Sequence, residues 1–245
     1  MNDVEATISY GNESINFTLR RTKRRKTVSI SMGFDGLQVL APEDMDEKEI
    51  NHHVRRKGPW ILKKRASYSE LSGERSEREF VGGECFFYLG RQYRLKIDQQ
   101  RDRFETTISA RGRHLVATTP VGHSTNVQRE AVSYALAAWY TEKASLRIPA
   151  RIRPICSLLG IAEPKVKIVD QSKRWGSCDK QGVIRVNWRI IMAPTQLIDY
   201  VLAHEACHVL EHNHSHRFWR SLSTIMPDYE MRVARLNEIG HRFIW

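Results

Sequence analysis

The feature that most constrains the fold is a histidine-rich segment near the end of the chain. Five of the ten histidines lie between residues 204 and 216, and His-Glu-x-x-His occupies residues 204–208. In an α-helix, residues four apart stand one turn above each other, so His204 and His208 can present two imidazole nitrogens to one metal ion. Glu205 projects beside the ion, where it can accept a proton from metal-bound water. The pattern therefore predicts a helix that carries a metal site.

A catalytic zinc ion usually has three protein ligands, so a third ligand must lie outside this pair. His212 follows at the same spacing, but three successive turns of a straight helix cannot converge on one tetrahedral ion. We therefore expect the helix to end first, with Asn213 in a left-handed conformation that turns His214 toward the metal. His214 is the predicted third ligand; Glu211 and His216 remain alternatives, and those not used are expected on the surface with His212.

The segment that leads into the histidines has the pattern of a helical domain. Pro194-Thr195 opens a helix with an apolar face, and Val127–Leu146 is an Ala- and Leu-rich run without glycine or proline. Two strands are predicted between these helices, at Val166–Asp170 and Val183–Asn187. The change in residue composition near residues 118–126 predicts a C-terminal domain over residues 126–245 that carries the His-Glu-x-x-His helix.

Residues 1–125 are predicted to form a β-rich region with one helix, which makes the whole chain an α+β protein. The helix is expected from Asp44 toward Lys64, and no internal repeat is apparent in the sequence. Short alternating runs separated by glycine turns predict the strands Ile15–Leu19, Thr27–Met32, Leu37–Ala41, Cys85–Leu89, Tyr93–Ile97, Thr106–Ile108 and Leu115–Ala117.

Composition excludes several classes of protein. The chain has 245 residues, of which 41% are hydrophobic and 27% charged, as in ordinary globular proteins rather than disordered or fibrous ones. No stretch approaches the length of a membrane helix, and the first residues lack the basic start and apolar run of a signal peptide. Four widely spaced cysteines suit reduced thiols. These features predict a cytoplasmic protein with no membrane partner.

The chain is strongly basic, with a formal net charge of +11. Such a charge attracts anionic partners, although many solvated surfaces are also basic. The densest cluster, Arg20–Lys26, holds six cations in seven residues. It is either a phosphate-binding surface or a solvated strand edge that discourages aggregation, and the sequence does not separate these two interpretations.

The motifs together closely resemble those of the YgjP-like family of zinc metallopeptidases, which is related to the SprT and WLM zincins. The resemblance extends from about residue 15 to residue 240 and is most specific in the C-terminal part. The residues that carry it include His204 to His208, His214-Ser215-x-x-Phe218-Trp219, Lys173-Arg174-Trp175-Gly176-Ser177-Cys178 and Gly182-x-Ile184-x-Val186-Asn187-Trp188. It implies that His204, His208 and His214 bind the metal and that Glu205 is the catalytic base.

Two further side chains, Arg174 and Tyr229, are candidates for the same site. Arg174 could stabilise negative charge on a substrate oxygen, and the Tyr229 hydroxyl is a second candidate for that role. For Cys178 we expect core packing beneath the metal helix, because nothing in the sequence brings its sulfur to the metal.

These features predict a zinc-dependent hydrolase, with peptide bonds as the substrate that the resemblance implies. We expect an extended peptide to pair with a sheet edge near Val183–Asn187. One alternative keeps the metal and the base but hydrolyses a phosphoanhydride, as a nucleoside triphosphate pyrophosphatase would. A third hypothesis is a nucleic-acid-binding module with a structural metal. It gives Glu205 no role, and structural zinc sites prefer four ligands rich in cysteine.

Overall fold

The structure is a computed structural model that describes residues 4–11, 13–23, 27–33, 36–63, 78–171 and 174–245. Within these ranges the chain is a mixed α+β structure, as predicted. Its strands are β1 (Val4–Tyr10), β2 (Glu13–Thr22), β3 (Ser29–Gly33), β4 (Gly36–Pro42), β5 (Cys85–Tyr88), β6 (Arg91–Gln100), β7 (Thr107–Arg111), β8 (His114–Pro120), β9 (Val166–Val169), β10 (Gly176–Cys178) and β11 (Ile184–Asn187). The helices are α1 (Glu47–Arg56), α2 (Thr125–Leu159), α3 (Thr195–Leu210), α4 (His216–Ile225) and α5 (Tyr229–Ile239), with 3-10 turns at Trp188–Met192 and Gly240–Phe243.

The chain divides into two compact units, of which the first contains residues 1–75 and 172–174. In this unit, β1 to β4 form a sheet in the order β1-β2-β4-β3, and its apolar face meets Ile50 and Val54 of α1. The predicted single helix is interrupted, because α1 ends at Arg56 and the chain is helical again over 58–63. At the interruption, a Cβ atom on Gly58 would lie 2.3 Å from Cε2 of Tyr10, so any other residue would force the Tyr10 ring to move.

The second unit contains residues 76–171 and 175–245 and begins with a sheet of the same design. Its order is β5-β6-β8-β7, and its central pair is parallel, as is the β2–β4 pair of the first sheet. Thr22 pairs with Pro42, and Gln100 pairs with Pro120, so both partners lie 78 residues further along the chain. The expectation of no internal repeat is therefore wrong at the level of structure.

The same shift relates the outer pairs of the two sheets and the helices that follow them. Tyr10 pairs with Glu13 and Tyr88 pairs with Arg91, while α1 begins at Glu47 and α2 at Thr125. Few side chains are shared at this spacing, so sequence identity does not reveal the repeat. What the two copies share is the order, the direction and the register of their paired strands.

Helix α2 is much longer than predicted, at 35 residues, and it continues through Pro149 and Pro154. Each proline removes a backbone donor from the helix, at a cost of about 3 kcal/mol in a helix interior. Tertiary packing offsets this cost, because Ile148 and Ile152 on the same stretch are completely buried. The helix ends at Gly160, which has a left-handed φ of 67°.

The remaining elements of the second unit surround α3. A three-stranded sheet has the order β10-β11-β9, with β10 antiparallel and β9 parallel to β11. Arg151 of α2 donates two hydrogen bonds of 2.7 Å to the carboxylate of Asp199 on α3, so the long helix is tied to the start of α3. Helices α4 and α5, which the sequence analysis did not predict, also pack around α3.

Residues 76–125 belong to the same compact unit as the C-terminal part of the chain. The division into domains over residues 1–125 and 126–245 stays a prediction. All four cysteines are free thiols. None of the helices in the described part of the chain combines the length and apolarity needed to cross a membrane.

Candidate metal centre

The site is built on α3, which begins after Pro194 and runs to Leu210. Its apolar residues Leu197, Val201 and Leu202 are buried and fix which face of the helix meets the core. With that face fixed, His204 and His208 lie one turn apart with ring centroids 5.0 Å apart. Local helix geometry therefore supplies two of the predicted ligands.

The chain leaves α3 at Glu211, whose φ of −135° and ψ of 104° are extended. The prediction of a left-handed conformation at Asn213 is wrong, because the φ angle of this residue is not positive. The extended exit nevertheless brings His214 back to the helix, with its Nε2 atom 3.0 Å from Nε2 of His204. The structure thus brings together His204, His208 and His214, whose candidate ligand atoms all lie within 4.8 Å of one another.

Hydrogen bonds leave the Nε2 atoms of the first two histidines available as ligands. Nδ1 of His208 lies 3.0 Å from the carbonyl oxygen of Glu211, which can only accept, so Nδ1 carries the proton. Nδ1 of His204 lies 3.4 Å from the hydroxyl of Tyr200. When Nδ1 donates to that oxygen, Nε2 has a free lone pair. This arrangement is typical of histidines that bind metals.

The environment of His204 favours the neutral form that a ligand needs. Burial, with smaller contributions from the neighbouring His208 and His214, lowers the pKa of His204 to about 3. Burial also lowers the pKa of His214, again with a contribution from His208. Neutral imidazoles do not have to lose a proton before they bind a metal at neutral pH.

The three residues fit a metal ion that prefers nitrogen ligands. Imidazole lone pairs that face each other at 3.0 Å repel unless a proton or a cation lies between them. Tetrahedral zinc with bonds of 2.0–2.1 Å separates its ligand atoms by roughly 3.3 Å, close to this spacing. The donor set of three histidines is also one that occurs at catalytic zinc.

Glu205 is almost completely buried, with 6% of its surface exposed. Strand β10 allows this, because a Cβ atom on Gly176 would lie 2.7 Å from Cγ and 2.8 Å from Oε1 of Glu205. Only glycine leaves room for the carboxylate at that point. The contact between Gly176 and Glu205 was not predicted from the sequence.

The Glu205 carboxylate also influences two neighbouring groups. Burial, together with the charges of Glu205 and Asp179, raises the pKa of the Cys178 thiol to about 11. Burial and the Glu205 charge raise the pKa of Tyr200 to about 12. Cys178 is thus a protonated thiol at neutral pH, and it packs against the core as predicted.

Strand β10 is held in place by its connection to β11. Asp179 accepts hydrogen bonds from the backbone of Gln181 (3.0 Å) and Val183 (2.9 Å), and a third from Arg185 (2.8 Å). These bonds lower the pKa of the Asp179 carboxyl, and the bond from the Val183 backbone has the largest effect. The turn therefore fixes the strand that contacts Glu205.

The other predicted site residues have different surroundings. Arg174 is exposed and groups with the first unit. The Tyr229 hydroxyl donates to Glu230 at 3.1 Å, and its ring is stacked on Trp219. The alternative ligands Glu211 and His216, with His212, are not in the histidine cluster. Of the basic run, Arg21 donates to the carbonyls of Glu43 (3.2 Å) and Met45 (2.6 Å), while residues 24–26 lie outside the described residues.

Three aromatic residues at the site were not assigned a role from the sequence. Tyr200 lies one turn before His204, and a helical spacing of four residues could have indicated it. Phe218 and Trp219 follow His214 on α4, and both contact the histidine rings. The pattern His-Ser-x-x-Phe-Trp was visible, but only the fold shows that it returns to the metal ligands.

Among the comparisons with known proteins, the family match agrees with a metal-dependent chemistry. The crystal structure of the metallopeptidase zymogen abylysin from Pyrococcus abyssi is 22% identical and covers 36% of this chain and 90% of that one, with a TM-score of 0.35. No curated protein gives a match. The family model for the YgjP-like metallopeptidase domain matches residues 26–239, which is most of the chain. Members of such a family depend on a metal ion for peptide hydrolysis, and the chain belongs to the YgjP-like metallopeptidase family.

Proposed function

We propose that the chain is a zinc-dependent peptidase with a zincin-like C-terminal domain, in which Glu205 is the general base. The observation that carries this proposal is that three histidines converge at the helix that also holds the buried side chain of Glu205. Zinc, when held by His204, His208 and His214, would lower the pKa of a coordinated water and polarise the substrate carbonyl. The family supports a metal and peptide substrates, and the donor set supports zinc.

The role of Glu205 follows from its fixed position. The glycine at residue 176 and the body of α3 leave its carboxylate little freedom, so the acceptor oxygen is held in one place. A fixed base can accept a proton from the attacking water and later give it to the leaving amine without reorganisation. Tyr229 and Arg174 remain proposed stabilisers of the charge that develops on the substrate oxygen.

Strand β10 is the proposed place for the substrate backbone. The expectation of an edge at Val183–Asn187 is wrong, because β11 is the central strand of its sheet. β10 is at the end of that order, beside the metal helix, so its outer side can pair with an extended peptide. Its contact with Glu205 through Gly176 would bring the bound backbone close to the base.

The substitution Glu205→Gln tests the proposal. The amide keeps the size of the side chain but cannot accept a proton, so we expect cleavage of an unfolded protein to fall by roughly 10²–10⁴. Zinc content, measured by elemental analysis, should stay at the wild-type level. Glu238→Gln, which changes an exposed carboxylate in the same unit, is the matched control and should retain full activity.

Two outcomes would overturn the proposal. Loss of zinc from Glu205→Gln would make this residue a ligand rather than the base. Wild-type protein that releases pyrophosphate from nucleoside triphosphates but leaves unfolded proteins intact would replace the peptide substrate with a phosphoanhydride.

A further inference from the structure

The three histidines rest on an aromatic side chain. Phe218 is completely buried, and its ring centroid lies 5.0 Å from that of His204, 4.6 Å from His208 and 4.7 Å from His214. Ser215 starts α4 by accepting a hydrogen bond of 3.3 Å from the backbone N–H of Phe218, which fixes where this helix begins. The start of α4 thereby determines which residues meet the histidines.

Trp219, the next residue, is placed against His214. The two rings are stacked, with centroids 5.5 Å apart and planes inclined by 26°. Tyr229 is stacked 5.6 Å from the same indole at an interplanar angle of 27°. His214, Trp219 and Tyr229 therefore form a ring stack that contains a candidate metal ligand at one end and a proposed catalytic tyrosine at the other.

His214 needs such support more than the other two histidines do. His204 and His208 are held by α3, whereas His214 is exposed and lies between α3 and α4, outside any helix. The His208 ring is fixed by the carbonyl of Glu211, but within the described chain no backbone carbonyl or carboxylate binds the ring of His214. Its orientation depends instead on ring contacts.

We infer that Trp219 is a positioning residue, which orients the imidazole of His214 toward the metal. The inference rests on the proposed function in one respect, that His214 binds the ion. Partners that orient a ligand change metal affinity by about 10–100-fold when they are removed. We therefore expect Trp219→Leu to weaken zinc binding about tenfold.

A double-mutant cycle distinguishes positioning from a general effect on the fold. Zinc affinity is measured by competition with a chelator for the wild type, Trp219→Leu, His214→Ala and the double variant. If Trp219 acts through His214, its substitution changes affinity about tenfold in the wild type but less than about twofold in the His214→Ala background. An equal loss in both backgrounds would overturn the inference.

A conservative variant and a spectrum provide independent readouts. Trp219→Phe keeps an aromatic face and should restore most of the affinity that Trp219→Leu loses. With Co²⁺ in place of zinc, Trp219→Leu should shift the visible absorption toward that of His214→Ala, whereas Trp219→Phe should not. If the wild type binds no metal, the proposed function fails; if it binds zinc and Trp219→Leu binds it equally well, only the inference fails.

Discussion

The two four-stranded sheets share one pairing scheme, but only the second belongs to the unit with the metal centre. In the first copy, α1 ends at Arg56 and helical structure is described as far as residue 63. In the second copy, α2 continues to Leu159, and Arg151 in its extended part binds Asp199 of α3. The comparison indicates that the strand scheme is a scaffold, while the site depends on the elements added after it.

The equivalent strands β2 and β6 differ in the charge of their last residues. The end of β2 contains Arg20, Arg21 and Thr22, and the equivalent positions of β6 are Asp98, Gln99 and Gln100. Both sets form the same pairs with the parallel neighbouring strand. The strand register therefore does not require the cations of the basic run.

Among variants that compare the two units, the largest effect is expected from a pair of crowded glycines, one in each unit. Gly176→Ala would place a methyl group 2.7 Å from Cγ of Glu205 and displace the carboxylate. Because misplacement by about 1 Å can cost roughly 10²-fold in rate, we expect turnover to fall 10–100-fold while zinc is retained. Gly58→Ala, which would crowd Tyr10, should lower stability and leave turnover intact. If Gly176→Ala turns over substrate at the wild-type rate, the contact between Gly176 and Glu205 does not contribute to catalysis.

A matched pair of valines tests whether the two copies unfold separately. Val54 and Val132 are equivalent residues of α1 and α2, and both are completely buried. Replacing either with alanine should cost about 2 kcal/mol of unfolding free energy. In calorimetry, zinc should raise the midpoint temperature of one unfolding transition, and Val132→Ala should lower the midpoint of that transition. Val54→Ala should lower the midpoint of a transition that zinc does not change. If both variants lower the zinc-sensitive transition equally, the two units unfold as one.

A smaller effect concerns the pH dependence of the metal-free protein. An unfolded histidine binds a proton near pH 6.5, whereas burial holds the pKa of folded His204 at about 3. Between these values the unfolded state binds more protons, so the free energy of unfolding decreases as the pH falls, by up to about 1.4 kcal/mol per pH unit. Urea unfolding at pH 7 and pH 5 should show this loss in the wild type and a smaller one in His204→Gln. If the wild type and His204→Gln lose the same free energy of unfolding between pH 7 and pH 5, His204 is protonated in the folded state.

The sequence predicted the elements whose signals are local. His204 and His208 follow from helix spacing alone. Most strands of the two sheets follow from alternating apolar residues and turn glycines, whereas β1 was not predicted. The mixed α+β class was therefore predictable. Strand ends differed by a few residues, because pairing partners rather than local pattern decide where a strand stops.

Other features depend on contacts between distant residues and could not be predicted in the same way. The two prolines of α2 mark a helix end locally, yet packing around Ile148 and Ile152 carries the helix through them. The return of His214 relies on an extended Glu211 rather than a left-handed turn. The repeat was hidden because the two copies share strand pairing rather than side chains.

We propose that three histidines and Glu205 form one zinc-dependent catalytic centre in each chain. The most direct test of this proposal is a titration of zinc into chelator-treated protein, with cleavage of an unfolded protein as the readout. We expect activity to rise in proportion to added zinc and to stop rising at one equivalent per chain. Cleavage that is independent of zinc, or a chain that binds no zinc at neutral pH, would contradict it.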